Sequence, residues 1–110
     1  MKGTKTKAQR KRIEEDLIRQ LKVMGAYSEY YSDLVNDYLD MWDIKNQLIE
    51  DIKKRGVTTE YNHGGGQSGV KQNESIQSLV KITDRMSKTL LTMGIKPETV
   101  SIEDGEEIDL

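Results

Sequence analysis

Residues 63–72 run HGGGQSGVKQ, and a histidine ahead of three glycines, then a fourth glycine and a lysine, holds the ingredients of two kinds of chemistry. A phosphate-cradling loop needs a glycine, four residues, then Gly-Lys-Ser/Thr behind a strand, so that backbone amides wrap the phosphates and the lysine reaches their outer oxygens. Gly64 and Gly69 have that spacing, but Val70 stands where the lysine belongs, Lys71 follows one place late, and Gln72 brings no hydroxyl to magnesium. An oxyanion hole of the His-Gly-Gly-Gly kind needs a hydrolase sheet and a Gly-x-Ser-x-Gly elbow. Ser68 lacks flanking glycines at that spacing, and no strand alternation is evident anywhere in the chain. His63 is the single histidine and cysteine is absent, so a histidine triad, a cysteine-type zinc site and a thiol nucleophile all lack their parts. Adjacent acids such as Glu14, Glu15 and Asp16 are, in a chain one third charged, the ordinary form of a solvated helix face. The residues therefore predict a protein without a catalytic site, a metal or a cofactor.

The elements that hold this stretch are helical by periodicity. Ile13, Leu17, Leu21 and Met24 recur at spacings of four, four and three and stop at Gly25, which predicts a first helix. A second stripe runs Tyr31, Leu34, Tyr38, Met41, Lys45, Leu48, Ile52, with Val35, Trp42 and Ile49 widening it. It predicts one long helix from about Ser28 to Arg55, ended by Gly56. Acids at its start (Glu29, Asp33) and bases at its end (Lys53, Lys54, Arg55) suit the helix dipole. A third helix carries Ile76, Leu79, Thr83, Met86, Leu90 and Met93, entered through Asn73 or Ser75 and closed by Gly94 ahead of Pro97. The expected fold is all-α: an N-terminal helix across one end of a long antiparallel helical hairpin, whose helices are joined by a loop of about twenty residues, a length that usually marks function or a partner.

With 110 residues, one tryptophan and no phenylalanine, a single domain is expected, with a core thin enough that neighbouring subunits should help cover it. No run approaches the roughly 18 apolar residues of a membrane span, so the expectation is a soluble, cytoplasmic protein with no membrane partner. Charge is polarised along the chain. Lys2, Lys5, Lys7, Arg10, Lys11 and Arg12 precede any acid, and Glu98, Glu103, Asp104, Glu106, Glu107 and Asp109 follow the last base. Like-charge blocks at chain ends commonly serve as interaction tails. The chain is expected to divide into a basic disordered tail at 1–12, a helical domain at 13–97 and an acidic tail at 98–110, with DNA binding and oligomerisation as the expected roles of the helical domain. Candidate DNA contacts are the six N-terminal cations, Arg19 and Lys22 on the first helix, and a second cluster of Lys53, Lys54, Arg55 and Lys71. The turn in KVMGAYSEYY could also belong to a helix-turn-helix, but its second helix would bring Glu29, Asp33, Asp37, Asp40 and Asp43 toward phosphate.

The run YSEYYSDLVNDYLDMWDIKNQLIEDIKKRGV, the loop YNHGGGQSGVKQNESI and the helix SLVKITDRMSKTLLTMGIKP together resemble the small subunit of tailed-bacteriophage terminases, over about residues 10–97. That resemblance implies a non-catalytic packaging factor. It would bind double-stranded viral DNA in the host cytoplasm, assemble into a homo-oligomeric ring, and recruit and regulate the large subunit that carries the ATPase and nuclease. Self-association is expected through Tyr31, Leu34, Tyr38, Met41, Trp42, Leu48 and Ile49. Docking to the large subunit is expected through Val100, Ile102, Glu103, Asp104, Glu106, Glu107, Ile108 and Leu110, where apolar anchors are spaced among acids. Many members have a separate helix-turn-helix domain; here a basic tail and the first helix stand in its place. The glycines Gly64, Gly65, Gly66 and Gly69 then take an architectural role, letting the connection turn tightly or pack on a neighbour. The alternative is a helical dimeric DNA-binding regulator or adaptor that forms no ring.

Overall fold

A computed structural model describes residues 7–64 and 67–96. Among them the chain is mostly helical and folds in the order α1 (Lys7–Val23), α2 (Glu29–Arg55), β1 (Thr58–Gly64), β2 (Gln67–Gln72), α3 (Glu74–Thr92). The second and third helices begin and end where their cap residues put them. Ser28 precedes α2 in an extended conformation, and Gly56 ends it at φ 88°, its N–H returning to the Ile52 carbonyl. Asn73 caps α3 by accepting a hydrogen bond from the Ser75 N–H. Gly25 and Gly94 turn the chain out of α1 and α3, again at positive φ.

α1 starts at Lys7, six residues before the expected start at Ile13, so Lys7, Arg10, Lys11 and Arg12 belong to a helix and not to a disordered tail. Lys, Ala, Gln and Arg are good helix formers. The early turn is also tied down from outside: Arg10 Nε donates to both Asp43 carboxylate oxygens at 2.9 and 3.2 Å.

The core lies where α1 meets one end of the α2–α3 pair. Leu17, Leu21, Val35, Leu39 and Met93 form one buried cluster, flanked by partly buried Ile13, Ile18, Met24, Tyr31, Leu34, Tyr38 and Leu90. At the other end Asp51 of α2 bonds Ser75 of α3, so the two helices run antiparallel as expected. The buried line of α2 is Val35, Leu39, Trp42, and Leu39 belongs to neither stripe read from the sequence. The Tyr31–Leu34–Tyr38–Met41–Leu48 stripe is half-buried and lies about a quarter turn away, at 100° per residue.

The fold is not purely α. The twenty-residue loop is an antiparallel ribbon, with Thr58 opposite Gln72, Glu60 opposite Val70, Tyr61 opposite Gly69 and Gly64 opposite Gln67, and an irregularity between Asn62 and Gly64. Thr58, Thr59, Tyr61 and Val70 are strand formers, but strand alternation is a signature of one buried face. The ribbon has none: Thr58, Glu60, Asn62, Ser68, Val70, Lys71 and Gln72 are all exposed. On its other side the Tyr61 ring lies over Gly69, where an added Cβ would sit 2.6 Å from the Tyr61 hydroxyl oxygen. Two strands alone are marginal in water, and this glycine–aromatic pair adds to the backbone ladder that joins them.

Candidate nucleic-acid interface

The expected cations fall into groups that the fold treats differently. On α1, Lys7 and Arg12 are exposed and make no ion pair among the described residues, while Lys11 pairs with Glu15 at 3.6 Å and Arg19 with Asp16 at 3.1 Å on the helix surface. Exposed pairs of this kind contribute about 1 kcal/mol at most, so both cations can be drawn to a phosphate. Lys22 lies 5.4 Å from the centre of the Tyr27 ring. Arg10 is committed elsewhere. Its bond to Asp43 and its 3.8 Å approach to Asp40 clamp the first turns of α1 onto α2, and that hydrogen bond is the main reason its already high pKa rises further. Lys7, Arg10, Lys11, Glu14 and Asp43 line an open groove of about 530 Å³ between the two helices. Lys2 and Lys5 lie outside the described residues.

The Lys53–Lys54–Arg55 cluster divides. Arg55 Nε donates to Asp51 Oδ1 (2.8 Å), and its Nη2 to Asp51 Oδ2 (2.7 Å) and Asn73 Oδ1 (2.8 Å), with Glu74 at 3.4 Å. Asn73 Nδ2 donates to the Gly56 carbonyl (2.9 Å), and Ser75 Oγ to Asp51 Oδ2 (2.6 Å). The Arg55 hydrogen bonds first, then those of Ser75 and Asn73, hold the Asp51 carboxyl well below the ordinary carboxylate range. Glu74 is also held low, chiefly by its own backbone N–H at the start of α3 and then by Lys71 and Arg55. Arg55, expected as a DNA contact, is thus the centre of the joint that fastens α2, the ribbon and α3 together. Lys53 reaches Glu50 at 4.0 Å, Lys54 is exposed without an ion pair among the described residues, and Lys71 stands exposed on β2 opposite Thr59.

Of the glycine-rich stretch, Gly65 and Gly66 lie outside the described residues. Gly64 closes β1 and Gly69 sits within β2 under Tyr61, so they do not form a loop around a phosphate. His63 lies on β1 with its side chain outside the described part. No group of three or more His, Cys, Asp or Glu side chains able to hold a metal occurs among the described residues.

Of the residues expected at a subunit interface, Trp42 is buried within the chain's own core. Tyr31, Leu34 and Tyr38 are half-buried against the central cluster, with burial raising the Tyr38 pKa. Met41, Leu48 and Ile49 are half-buried. The helix-turn-helix alternative places an acidic α2 outward, with Glu29, Asp33, Asp37 and Asp40 all exposed. The residues expected to dock the large subunit, Val100 to Leu110, lie outside the described residues. Three exposed cations that the sequence reading passed over, Lys81, Arg85 and Lys88, follow each other at spacings of four and three on α3. Their signal was legible as a one-sided charge stripe, but on a surface helix such a stripe resembles ordinary solvation.

Among the described residues no helix is long and apolar enough to cross a membrane. Residues 9–101 match the family model described as phage terminase, small subunit. No curated protein and no solved structure matches the chain.

Proposed function

Because the chain belongs to the phage terminase small-subunit family, we propose that it binds double-stranded viral DNA in the host cytoplasm and recruits and regulates the large subunit, without catalysing a step itself. The family match across 9–101 carries this reading, and the charge layout supports it. Lys7, Lys11 and Arg12 are solvent-facing on α1, continuous in sequence with Lys2 and Lys5, and the acid-rich segment with Val100, Ile102, Ile108 and Leu110 lies at the opposite end of the chain. In this reading the N-terminal cations bind phosphates, the hairpin assembles copies into a ring, and the acidic segment docks the large subunit.

Because Arg10 holds α1 in place, the test neutralises Lys2, Lys5, Lys7, Lys11 and Arg12 to Gln and leaves Arg10 intact. DNA affinity is measured against salt by fluorescence anisotropy. Each phosphate contact removed takes about 0.9 off the slope of log affinity against log salt, so both affinity and slope should drop. An unchanged slope refutes the N-terminal site. Truncation after Pro97 should leave DNA binding intact and abolish stimulation of the large subunit's ATPase; full stimulation by the truncated chain removes the docking role.

A further inference from the structure

Two exposed helix faces of this chain carry opposite charge. On α2 the line Glu29, Asp33, Asp37, Asp40, Ile44, Gln47 recurs at spacings of four, four, three, four and three, and every member is exposed, Ile44 by 44 %. It lies opposite the buried Val35–Leu39–Trp42 line, and its first four members are acids. On α3 the exposed line is Gln77, Lys81, Arg85, Lys88, flanked by Val80 (60 % exposed) and Leu91 (62 %). Only Asp84, paired with Lys88 at 3.0 Å on the surface, interrupts it.

The heights of the two lines correspond. Asp51 stands level with Ser75 through their hydrogen bond, and Val35 and Leu39 share one cluster with Met93. Between these ties Lys88 stands about level with Asp40, Arg85 with Ile44 and Lys81 with Gln47. We propose that the acidic face of α2 on one copy of the chain docks against the basic face of α3 on the next copy. Lys88 then lies between Asp37 and Asp40, and Arg85 reaches Asp40. The geometry selects head-to-tail packing, because a two-fold contact through either face would set acid on acid or base on base. A head-to-tail contact closes into a ring or runs on as a filament. Copies related by rotation about an axis along the hairpin keep the same height, so the register within one chain becomes the register between chains.

This inference rests on the ring-forming part of the proposed function, and one set of variants separates the two. The full-length chain is measured by native mass spectrometry and light scattering, alone and as Asp37→Lys with Asp40→Lys, as Arg85→Glu with Lys88→Glu, and with all four changes together. Each reversed pair should reduce the assembly to single chains of unchanged helical content by circular dichroism, because when Asp40, 3.8 Å from Arg10, is changed, Arg10 keeps both hydrogen bonds to Asp43. The fourfold variant should regain the original mass, as should a mixture of the two double variants. Raising salt from 0.1 to 1 M, which shortens the screening length from about 10 Å to about 3 Å, should loosen the original assembly. If both double variants keep the original mass, this interface is wrong while the ring stands. If they keep it and the α3 variant alone loses DNA, the stripe is a phosphate surface and the inference is overturned. A monomeric unmutated chain defeats the inference and the ring together.

Discussion

At one end of the α2–α3 pair Leu17, Leu21, Val35, Leu39 and Met93 exclude water; at the other, Asp51, Arg55, Asn73 and Ser75 exchange hydrogen bonds around the root of the ribbon. The apolar end is strong and undirected, since burial of each large side chain contributes about 1.5–3 kcal/mol and tolerates small shifts. The polar end contributes less in total but fixes direction. Asn73 alone joins the Gly56 carbonyl, the Arg55 guanidinium and the Ser75 N–H, so it settles where α2 stops, where α3 starts and where the ribbon leaves. One end therefore holds the helices together and the other sets their register.

The sharpest way to break that comparison is to empty the apolar end. Leu39 is 1 % exposed at the centre of the cluster, and Leu39→Ala should cost about 2–5 kcal/mol, measured by urea denaturation. A loss comparable with that of an exposed alanine substitution would show that the cluster is not the core. Asn73→Ala comes second. Asn73 is 0 % exposed, and the change strips a helix cap and leaves buried partners unpaired, for about 1–3 kcal/mol. Its distinguishing sign is local: amide exchange at Ser75 and Ile76 should quicken more than at Leu21. Uniform quickening would mean that Asn73 sets no register.

Legibility in the sequence follows the same division. The bounds of α2 and α3 were readable because Ser28, Gly56, Asn73 and Gly94 act through local backbone chemistry. The apolar seam of α3 was readable because it includes Met86 and the C-cap residue Met93, which are both buried. Leu39 was missed because bulky Tyr31, Tyr38 and Met41 drew the stripe of α2 to one side of it. The ribbon was missed because neither of its faces is buried in a core, which removes the alternation that betrays a strand. The Arg55–Asp51 pair has the i,i+4 spacing of an ordinary helix surface, and the joint it belongs to is not legible because its further partners, Asn73 and Glu74, are 18 and 19 residues away. Of the candidate site, the surface position of Lys7, Lys11 and Arg12 was legible. The structural use of Arg10 was not, since Asp43 lies 33 residues away.

Acid distinguishes the two ends next. The folded-state pKa of Asp51 is depressed, so its stabilising effect is fully present above the unfolded value of about 3.9 and fades as pH falls through the lower folded value. Unmutated protein should lose stability progressively below about pH 4. In Asp51→Asn that loss should shrink to what Glu74, also depressed, still contributes. The measurement is the urea midpoint from pH 6 down to about pH 2.5. Parallel curves for the two proteins would show that the acid sensitivity arises elsewhere, whereas Leu39→Ala should lower the curve without changing its shape.

The smallest effect belongs to Gly69→Ala. An added Cβ would meet the Tyr61 hydroxyl oxygen at 2.6 Å and the ring at 2.9 and 3.1 Å, so the ring must swing off the strand. A ring tip is mobile, and the ribbon shares little packing with the helices that form the core. The global unfolding midpoint should therefore move by no more than the ±0.5 kcal/mol typical of surface changes. What should change is the ribbon itself: the Tyr61 ring protons shift in the NMR spectrum and the amides of residues 60, 62, 68 and 70 exchange faster, while those of Leu21 and Leu39 hold. A large fall in global stability would mean that the ribbon is coupled to the core through the Asn73 joint, and the division between a register-setting end and a load-carrying end would have to be redrawn. Unchanged Tyr61 shifts would instead show that the ring does not rest on Gly69 in solution.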